Sequence, residues 1–371
     1  MTVKDHIIKL TAVVSALLLK LMTIPVSAAD GPVNVAALTA GGGSVSALLQ
    51  RAIDENPNRT FYFPDGEYLL SEPIRTPADP RKSVSLRLDP YAMLVAADDF
   101  AGEALVMLGG KDPYNDTHTP GSNYSLTGGI IDPRGKAKAI TIESGRETVV
   151  KDVSIKNATV GIHIKPGANA GSSDADISSV NIIGTGGVDS TGLIVEGHDN
   201  TFTNIRIGFV YTGVHLKGAG NVLKNVHPLF YSGYDDYEKS VGFLDEGGDN
   251  LYDYCYSDQF CTGFRTTGNQ KNIYTNCFTY WYSDAGGQET CFRADGEFNS
   301  IVTNMRIGFK DNTKNCVLKT GGLGYGVFDK PIVDTGRVGS NYLYRFYASS
   351  HPFTPLRRAV YGLIQWIRGL T

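Results

Sequence analysis

The chain has 371 residues, of which 42% are hydrophobic and 19% charged, so it is long enough to bury a large core. Its 43 glycines favour many turns over long helices. The formal net charge is −4 and there is no basic tract, which argues against a nucleic-acid partner.

Residues 1–28 are predicted to be a signal peptide. Lys4 and Lys9 precede the mostly apolar run LTAVVSALLLKLMTIP, and small residues follow at Val26, Ala28 and Ala29, as a signal peptidase requires. Lys20 interrupts the run, which is short for a membrane anchor. The sequence therefore predicts an exported protein, secreted or extracytoplasmic.

The next segment, residues 29–58, is predicted to form an N-terminal cap. Within SVSALLQRAIDEN, apolar residues at 45, 48, 49, 52 and 53 follow a helical spacing. A helix with one apolar face is suited to covering the open end of a β structure.

A sequence repeat that begins with asparagine recurs along the chain. The copies are NTFTNIRIGF at 200, NVLKNVHPLF at 221, NLYDYCYSDQF at 250, NIYTNCFTYWY at 272 and NSIVTNMRIGF at 299, the last with one extra residue. A period of twenty to thirty residues with strand-like alternation predicts one turn of a β-solenoid. The inward positions are predicted to be Val153, Val180, Ile205, Val226, Cys255, Cys277 and Met305.

A second set of repeats follows the first, from VGIHIKPG at 160 to NCVLKTG at 315. Alternation predicts two faces for these strands. The inward face would hold Ile162, Leu193, Val214, Phe243, Phe264, Phe292 and Val317, and the outward face His163, Ile194, His215, Leu244, Arg265, Arg293 and Leu318.

These repeats resemble those of the pectin-lyase-like, right-handed parallel β-helix superfamily. RTFYFPDGEYLLSEPI (59–74) is similar to its entry segment, and LTGGIIDPRGKAKAITI (126–142) to its first full coils. The resemblance implies an all-β, single-stranded right-handed parallel β-helix over residues 59–347. It also implies a protein that cleaves or binds polysaccharides.

The cysteines lie on neighbouring coils in this prediction. Parallel strands are about 4.8 Å apart, so Cys255 would face Cys277, and Cys291 would face Cys316. Either pair could be a disulfide or part of a ladder of buried thiols, and Cys261 is left over. The spacing of the cysteines does not match a zinc site.

Two inserted segments indicate a cleft. HPLFYSGYDDYEKS follows Val226 and TYWYSDAGGQE follows Cys277, so both loops should leave the same edge of the stack and flank Asp258. The candidate catalytic carboxylates are Asp258, Asp236, Asp284, Asp235 and Glu238. The candidate substrate-binding residues are Arg265, Arg293, His215, Tyr256, Tyr280, Trp281 and Tyr234.

Three functions fit this cleft. Paired carboxylates are the requirement of a glycoside hydrolase, which we favour, and aromatic rings can stack on sugars. A basic residue beside a uronic acid would instead support a polysaccharide lyase or uronate epimerase. The third alternative is a noncatalytic glycan-binding or surface fibre module. No cofactor is predicted, although calcium held by carboxylates could assist an acidic substrate.

The catalytic motifs of relatives are not reproduced. The polygalacturonase branch combines Asn-Thr-Asp, Asp-Asp, Gly-His-Gly and Arg-Ile-Lys, and only Gly197-His198-Asp199 and Arg206-Ile207-Gly208 approach two of these. Asp235-Asp236 follows both, so the order differs as well. No catalytic residue is therefore transferred from that family.

The last segment, residues 348–371, is predicted to contain an amphipathic helix. PLRRAVYGLIQWIRGLT places apolar residues at helical spacing with arginines opposite. Such a helix could lie on a membrane surface, but capping the last coil or packing against a second subunit is the favoured role.

Overall fold

The computed structural model describes residues 31–77, 79, 82–109, 124–143, 146–166, 172–231, 235–282, 289–309, 316–329, 331–334, 345–346 and 363. The chain divides into two compact units, Met1–Val33 and Asn34–Thr371, and the fold below is that of the second. The signal peptide predicted for 1–28 lies outside the described residues, and so does the C-terminal helix predicted for 348–371, apart from Leu363.

Two short helices precede the first coils, α1 (Val35–Thr39) and α2 (Val45–Glu55). Ser44 caps α2, since its side chain accepts a hydrogen bond from the Ala47 backbone N–H. Leu49, Ala52 and Ile53 are buried along one face of α2, as their spacing predicted. In the described part of the chain, no helix combines the length and apolar character needed to cross a membrane.

The strands are short and follow one another at regular intervals. They are β1 (Val33–Asn34), β2 (Arg59–Phe63), β3 (Gly66–Leu70), β4 (Ile74–Arg75), β5 (Val84–Leu88), β6 (Ala92–Ala96), β7 (Ala104–Gly109), β8 (Ser125–Thr127), β9 (Ile130–Asp132), β10 (Lys138–Glu143), β11 (Val149–Lys151), β12 (Ser154–Ala158), β13 (Val160–Ile164), β14 (Asp176–Gly184), β15 (Thr191–Val195), β16 (Thr201–Gly208), β17 (Thr212–Leu216), β18 (Val222–Leu229), β19 (Val241–Asp245), β20 (Leu251–Asp253), β21 (Tyr256–Asp258), β22 (Thr262–Thr266), β23 (Ile273–Thr275), β24 (Phe278–Tyr280), β25 (Thr290–Phe298), β26 (Ile301–Thr303), β27 (Arg306–Gly308), β28 (Cys316–Leu323), β29 (Val327–Asp329), β30 (Ile332–Asp334) and β31 (Arg345–Phe346).

Each coil contributes one strand to each of three stacks. Sheet 1 contains β4, β7, β10, β13, β15, β17, β19, β22, β25, β28 and β31. Sheet 2 runs from β2 and β5 through β20 to β29, and sheet 3 from β3 and β6 through β21 to β30, while β14, β16 and β18 bend and contribute to both. Pairing is parallel and joins each strand to its equivalent one coil away.

From the β11–β12 bend to the β26–β27 bend, sheets 2 and 3 are joined in each coil by one non-glycine residue with positive φ. These residues are Asp152, Ser179, Asn204, Asn225, Tyr254, Asn276 and Asn304, with φ between 52° and 59°. Asparagine is among the few side chains that tolerate this conformation, which explains its recurrence there.

The first inward column has the predicted register. Val180 pairs with Ile205, and Ile205 pairs with Val226. Tyr256, Phe278 and Arg306 are also paired in register, so the residues that precede them, Cys255, Cys277 and Met305, are aligned on successive coils. All seven predicted positions are buried, including Cys255 and Cys277 on adjacent coils.

The second column is confirmed except at its last coil. Phe243, Phe264 and Phe292 are stacked in register, but the partner of Phe292 is Leu318 rather than Val317. Lys319, and not Leu318, therefore pairs with Arg293 on the outward side. The predicted alignment of Cys291 with Cys316 was wrong for the same reason, because Cys316 pairs with Thr290. This register buries the leucine and leaves the lysine partly exposed.

A ladder of buried asparagines closes the turn before sheet 2. The Oδ1 atom of Asn221 accepts from the Asn200 backbone N–H at 3.0 Å, and Asn250 accepts from Asn221 at 2.9 Å. Asn272 continues the ladder at 2.9 Å, and Ser300 rather than Asn299 ends it at 3.3 Å. The side chains thus satisfy backbone donors that would otherwise be buried without partners.

All five cysteines are buried free thiols in the structure. The Cys255 thiol donates to the Leu223 carbonyl at 3.4 Å, and Cys277 donates to the Thr275 carbonyl at 3.4 Å. Cys291 lies 3.1 Å from the Met305 sulfur. The arrangement corresponds to the ladder of thiols, the alternative to two disulfides.

Candidate functional site

The candidate site lies on the outer face of sheet 3. Strand register aligns five outward side chains on successive coils, which we call the ring column: Arg206, His227, Tyr256, Phe278 and Arg306. Each follows the positive-φ bend by two residues, so the bend fixes where every member of the column points.

The three rings of the column stack on one another. The centroids of His227 and Tyr256 are 4.1 Å apart at an interplanar angle of 12°, and those of Tyr256 and Phe278 are 4.5 Å apart at 24°. The Arg306 guanidinium covers the end of the stack, 5.3 Å from the Phe278 centroid. Both faces of Tyr256 are therefore covered, and its ring presents an edge to solvent rather than the open face that sugar stacking needs.

Asp258 stands beside this column. It pairs in register with Leu229 on one side and Tyr280 on the other. Its Oδ2 atom is 3.7 Å from His227 Nε2, and its side chain is 13% exposed. Oδ1 and His227 Nε2 are both buried, and neither has a hydrogen-bond partner in the described part of the protein. Burial, followed by the Asp258 charge, raises the pKa of the Tyr256 phenol.

The first inserted loop leaves sheet 3 next to Asp258. The Phe230 N–H donates to the Asp258 carbonyl at 2.9 Å, and the chain then continues to a 3-10 helix at Tyr237–Lys239. Asp236, at φ 58°, forms an ion pair with Lys239 at 2.9 Å. Tyr211 of the preceding coil donates a hydrogen bond to the Asp235 carbonyl. Asp235, Asp236 and Glu238 therefore lie on a loop tied to the same edge as Asp258.

The second inserted loop begins on the same edge, between β24 and β25. Asp284 on this loop and Tyr234 on the first loop lie outside the described residues. Tyr280 is 38% exposed, and its ring lies over Gly308, where an added Cβ would come within 2.6 Å of Tyr280 Cδ2. Tyr280 therefore keeps an accessible ring near Asp258.

Trp281 does not have the position expected of a substrate-binding residue. It is 2% exposed, stacks on Phe309 with centroids 4.9 Å apart, and donates from Nε1 to the Phe260 carbonyl at 2.7 Å. Phe230, Trp281 and Phe309 occupy the same register position and Phe260 follows it by one residue, so this tryptophan belongs to an aromatic core at the turn.

The three basic candidates lie on sheet 1 rather than in the ring column. His215 pairs with Glu246 at 2.9 Å, and Arg265 and Arg293 both bind Asp295, at 2.7 and 2.6 Å. Further along the same face, Glu103, Glu143 and Glu196 are engaged by Lys138, Lys165, Lys217 and His163. The outer face of sheet 1 is thus a network in which charges neutralise one another.

Arg206, His227, Phe278 and Arg306 were not among the predicted site residues. All four residues lie two positions after the bend residue, at the ends of the motifs TNIR, KNVH, TNCF and TNMR. This shared position could have identified them from the sequence. Neither Arg206 nor Arg306 forms an ion pair with a described residue. Within the same described ranges, no three His, Cys, Asp or Glu side chains are arranged to hold a metal ion.

Comparisons with known proteins identify solved structures that share the fold. No protein-family model matches the chain, and no curated protein matches its sequence. Among solved structures, an alginate lyase from Paenibacillus sp. str. FPU-7 aligns with a TM-score of 0.54 and 14% identity, over 82% of this chain and 98% of that chain. The catalytic domain of a GH87 alpha-1,3-glucanase in complex with nigerose aligns with a TM-score of 0.53 and 11% identity, over 87% of this chain and 69% of that chain. The chain therefore has the parallel β-helix fold that the sequence predicted.

Proposed function

We propose that the protein is an exported polysaccharide-active enzyme, a glycoside hydrolase in which Asp258 is the reacting carboxylate. The observation that carries this proposal is the environment of Asp258, a largely buried carboxylate with an unbonded oxygen beside a stack of rings. A largely buried carboxylate with one oxygen free of hydrogen-bond donors is suited to proton transfer or nucleophilic attack. The structural neighbours support a carbohydrate substrate, since an alginate lyase and an alpha-1,3-glucanase share the fold.

The second carboxylate of a hydrolase would come from the first inserted loop. Hydrolysis requires one acid and one base or nucleophile, separated by about 5–10 Å according to the stereochemical outcome. Asp235, Asp236 and Glu238 are the described acids on that loop, which starts at the residue bonded to the Asp258 backbone. Asp236 is held by Lys239, so Asp235 and Glu238 are the first to test.

The ring column favours an acidic polysaccharide. Aromatic ring edges carry positive potential, and the two ends of the column are the guanidinium groups of Arg206 and Arg306. Four coils at about 4.8 Å separate them by about 19 Å, a span for several sugar units. Guanidinium groups bind carboxylates in bidentate fashion, so uronate units along this column would find matched partners.

The test is mass spectrometry of products from a panel of plant, algal and microbial polysaccharides. A hydrolase adds water to each cleaved bond. Asp258→Asn should lower turnover at least about a hundredfold, as expected for loss of an acid or base. Asp253→Asn, which removes an outward carboxylate from the same coil, is the matched control. Full activity in Asp258→Asn would exclude this site.

A polysaccharide lyase or epimerase is the second candidate. It is favoured by His227 and Tyr256, whose imidazole and phenol are proton-transfer groups adjoining Asp258. A lyase would give unsaturated products that absorb in the ultraviolet, without addition of water, and an epimerase would change uronate stereochemistry without cleavage. Retention on a polysaccharide with no product would identify a binding module instead.

A further inference from the structure

A cavity of about 600 Å³ lies beside α2, on the outer face of the first coils of sheet 1. One group of lining residues comes from α2 and the strand end at Arg75, and we call it the wall: Gln50, Asp54, Arg75, Thr76 and Pro77. The other group comes from the next coils, and we call it the floor: Glu103, Met107, Gly109, Glu143 and Lys165. The volume is within the usual range for small-molecule sites. The cavity is separate from the ring column, because Lys165 and Asp258 lie on different sheets and are between three and four coils apart, or about 17 Å along the stack.

The wall is held rigidly. Gln50 Oε1 accepts from the Arg75 N–H at 2.9 Å, and Gln50 Nε2 donates to the Arg75 carbonyl at 3.0 Å and to Asp54 Oδ1 at 3.0 Å. These bonds fix α2 to the strand that ends at Arg75. A preformed wall lowers the conformational entropy that a ligand must overcome on binding.

The floor is strongly polar, and its two carboxylates are paired with Lys165 in the lining and with Lys138 just outside it. Lys165 donates to Glu103 at 2.6 Å and to Glu143 at 2.5 Å, and Lys138 donates to the other oxygen of Glu103 at 2.7 Å. The two lysines hold the pKa of the Glu103 carboxyl down at about 2, against the effect of burial, so the group is ionised. Two cations thus balance two carboxylates.

The paired charges on the cavity floor favour an uncharged ligand. An anion would face Glu103 and Glu143, and a cation would compete with Lys165 for both of them. A neutral polyol can instead accept from the ammonium and donate hydroxyls to the carboxylates. Glu143 Oε2 has no donor among the described residues, although Glu143 is 7% exposed. Met107 and Pro77 offer apolar contact for the C–H face of a ring.

We infer that this cavity is a second carbohydrate-binding site, which takes a neutral sugar unit of monosaccharide to disaccharide size. Glu143 and Lys165 hold the hydroxyl groups, and Arg75 and Asp54 contact the unit at the rim. Sugar binding at this cavity is independent of the proposed function, because it requires no reaction at Asp258. It would anchor a polymer at a point distant from the ring column.

The test is calorimetric titration and saturation-transfer NMR of the full chain with gluco-, manno- and galacto-configured disaccharides. At least one should bind saturably, and Glu143→Gln should weaken it about tenfold, since a charged acceptor is lost. Arg75→Gln and Asp54→Asn, both exposed, should weaken it a few-fold without affecting folding. Asp258→Asn should bind as the unaltered protein does.

Three results would overturn the inference. The first is no saturable binding of any neutral disaccharide. The second is tighter binding of glucuronate or glucosamine than of glucose, because the cavity would then not be neutral in its preference. The third is unchanged affinity in the rim variants, which decide the question even if Glu143→Gln fails to fold. Absence of any enzymatic product would overturn the proposed function alone.

Discussion

Asp245 is a carboxylate inside the apolar core, and it should make the stability of the coil stack depend on pH. It occupies the inward position that Leu216 has one coil earlier and Thr266 one coil later, and it is 1% exposed. Tyr252 donates to it at 2.6 Å, the Gly247 N–H at 2.9 Å, and Asn250 Nδ2 at 3.2 Å. The perturbation is Asp245→Asn, which keeps the shape and removes the charge.

Burial raises the pKa of Asp245 from its ordinary value of 3.8 to about 6, and the donors from Tyr252, Asn250 and Gly247 only partly oppose it. Because the folded protein holds this proton more tightly than the unfolded chain, the contribution is favourable at low pH. It is lost as the pH rises from about 4 through about 6. Each pKa unit corresponds to about 1.4 kcal/mol, so the loss is about 3 kcal/mol.

The assay is urea denaturation of the unaltered protein and Asp245→Asn between pH 4 and 8, after confirming that the transitions are reversible. The variant should gain about 3 kcal/mol relative to the unaltered protein across this range, whatever its absolute stability at pH 4. Asp253→Asn removes a partly exposed carboxylate nearby and controls for the general loss of a charge. A stability difference that stays constant within about 0.5 kcal/mol would refute the reasoning.

Gly242→Ala should lower the free energy of unfolding by about 1–3 kcal/mol, because its Cβ would lie 2.1 Å from Ser257 Oγ. Ser257→Ala should relieve part of that loss. Additive effects of the two substitutions in a double-mutant denaturation cycle would contradict the clash. Asn221→Ala should cost at least about 2 kcal/mol in the same measurement, since it leaves the buried Asn200 N–H without its acceptor, whereas Asn225→Ala at the exposed bend should cost less. Burial raises the pKa of the Cys255, Cys261 and Cys291 thiols, that of Cys261 to about 11, so a thiol reagent at neutral pH should label the five cysteines only after unfolding; rapid labelling of the native protein would count against the buried ladder.

The inward columns could be predicted from the sequence because burial restricts them. Every coil must place an apolar side chain at the same point, so Val226, Cys255 and Cys277 mark the period even without identical residues. The register failed only where two alignments competed. Matching Cys291 to Cys316 preserved the residue type, but the structure follows the alternation of buried Leu318 and partly exposed Lys319.

The site was harder to predict because outward positions carry no such restriction. Trp281 was interpreted as a sugar-binding residue from its type, although its position in the repeat matches Phe230 and Phe309, which are core residues. Tyr256 lies beside Asp258, but the open ring face that sugar stacking needs is covered. Register alone could not show that His227 and Phe278 cover both faces of its ring.

The two outer faces differ in how their charges are used, and this difference supports assigning them different ligands. On sheet 1, Glu103, Lys165 and their neighbours form pairs, so a charged ligand gains little that the protein does not already supply. On sheet 3, Arg206 and Arg306 have no carboxylate partner among the described residues, and Asp258 has an unbonded oxygen. Groups left without partners in the free protein can make new interactions with a substrate and its transition state. Charge recognition and reaction are therefore expected on the ring column, and neutral sugar binding at the cavity beside α2.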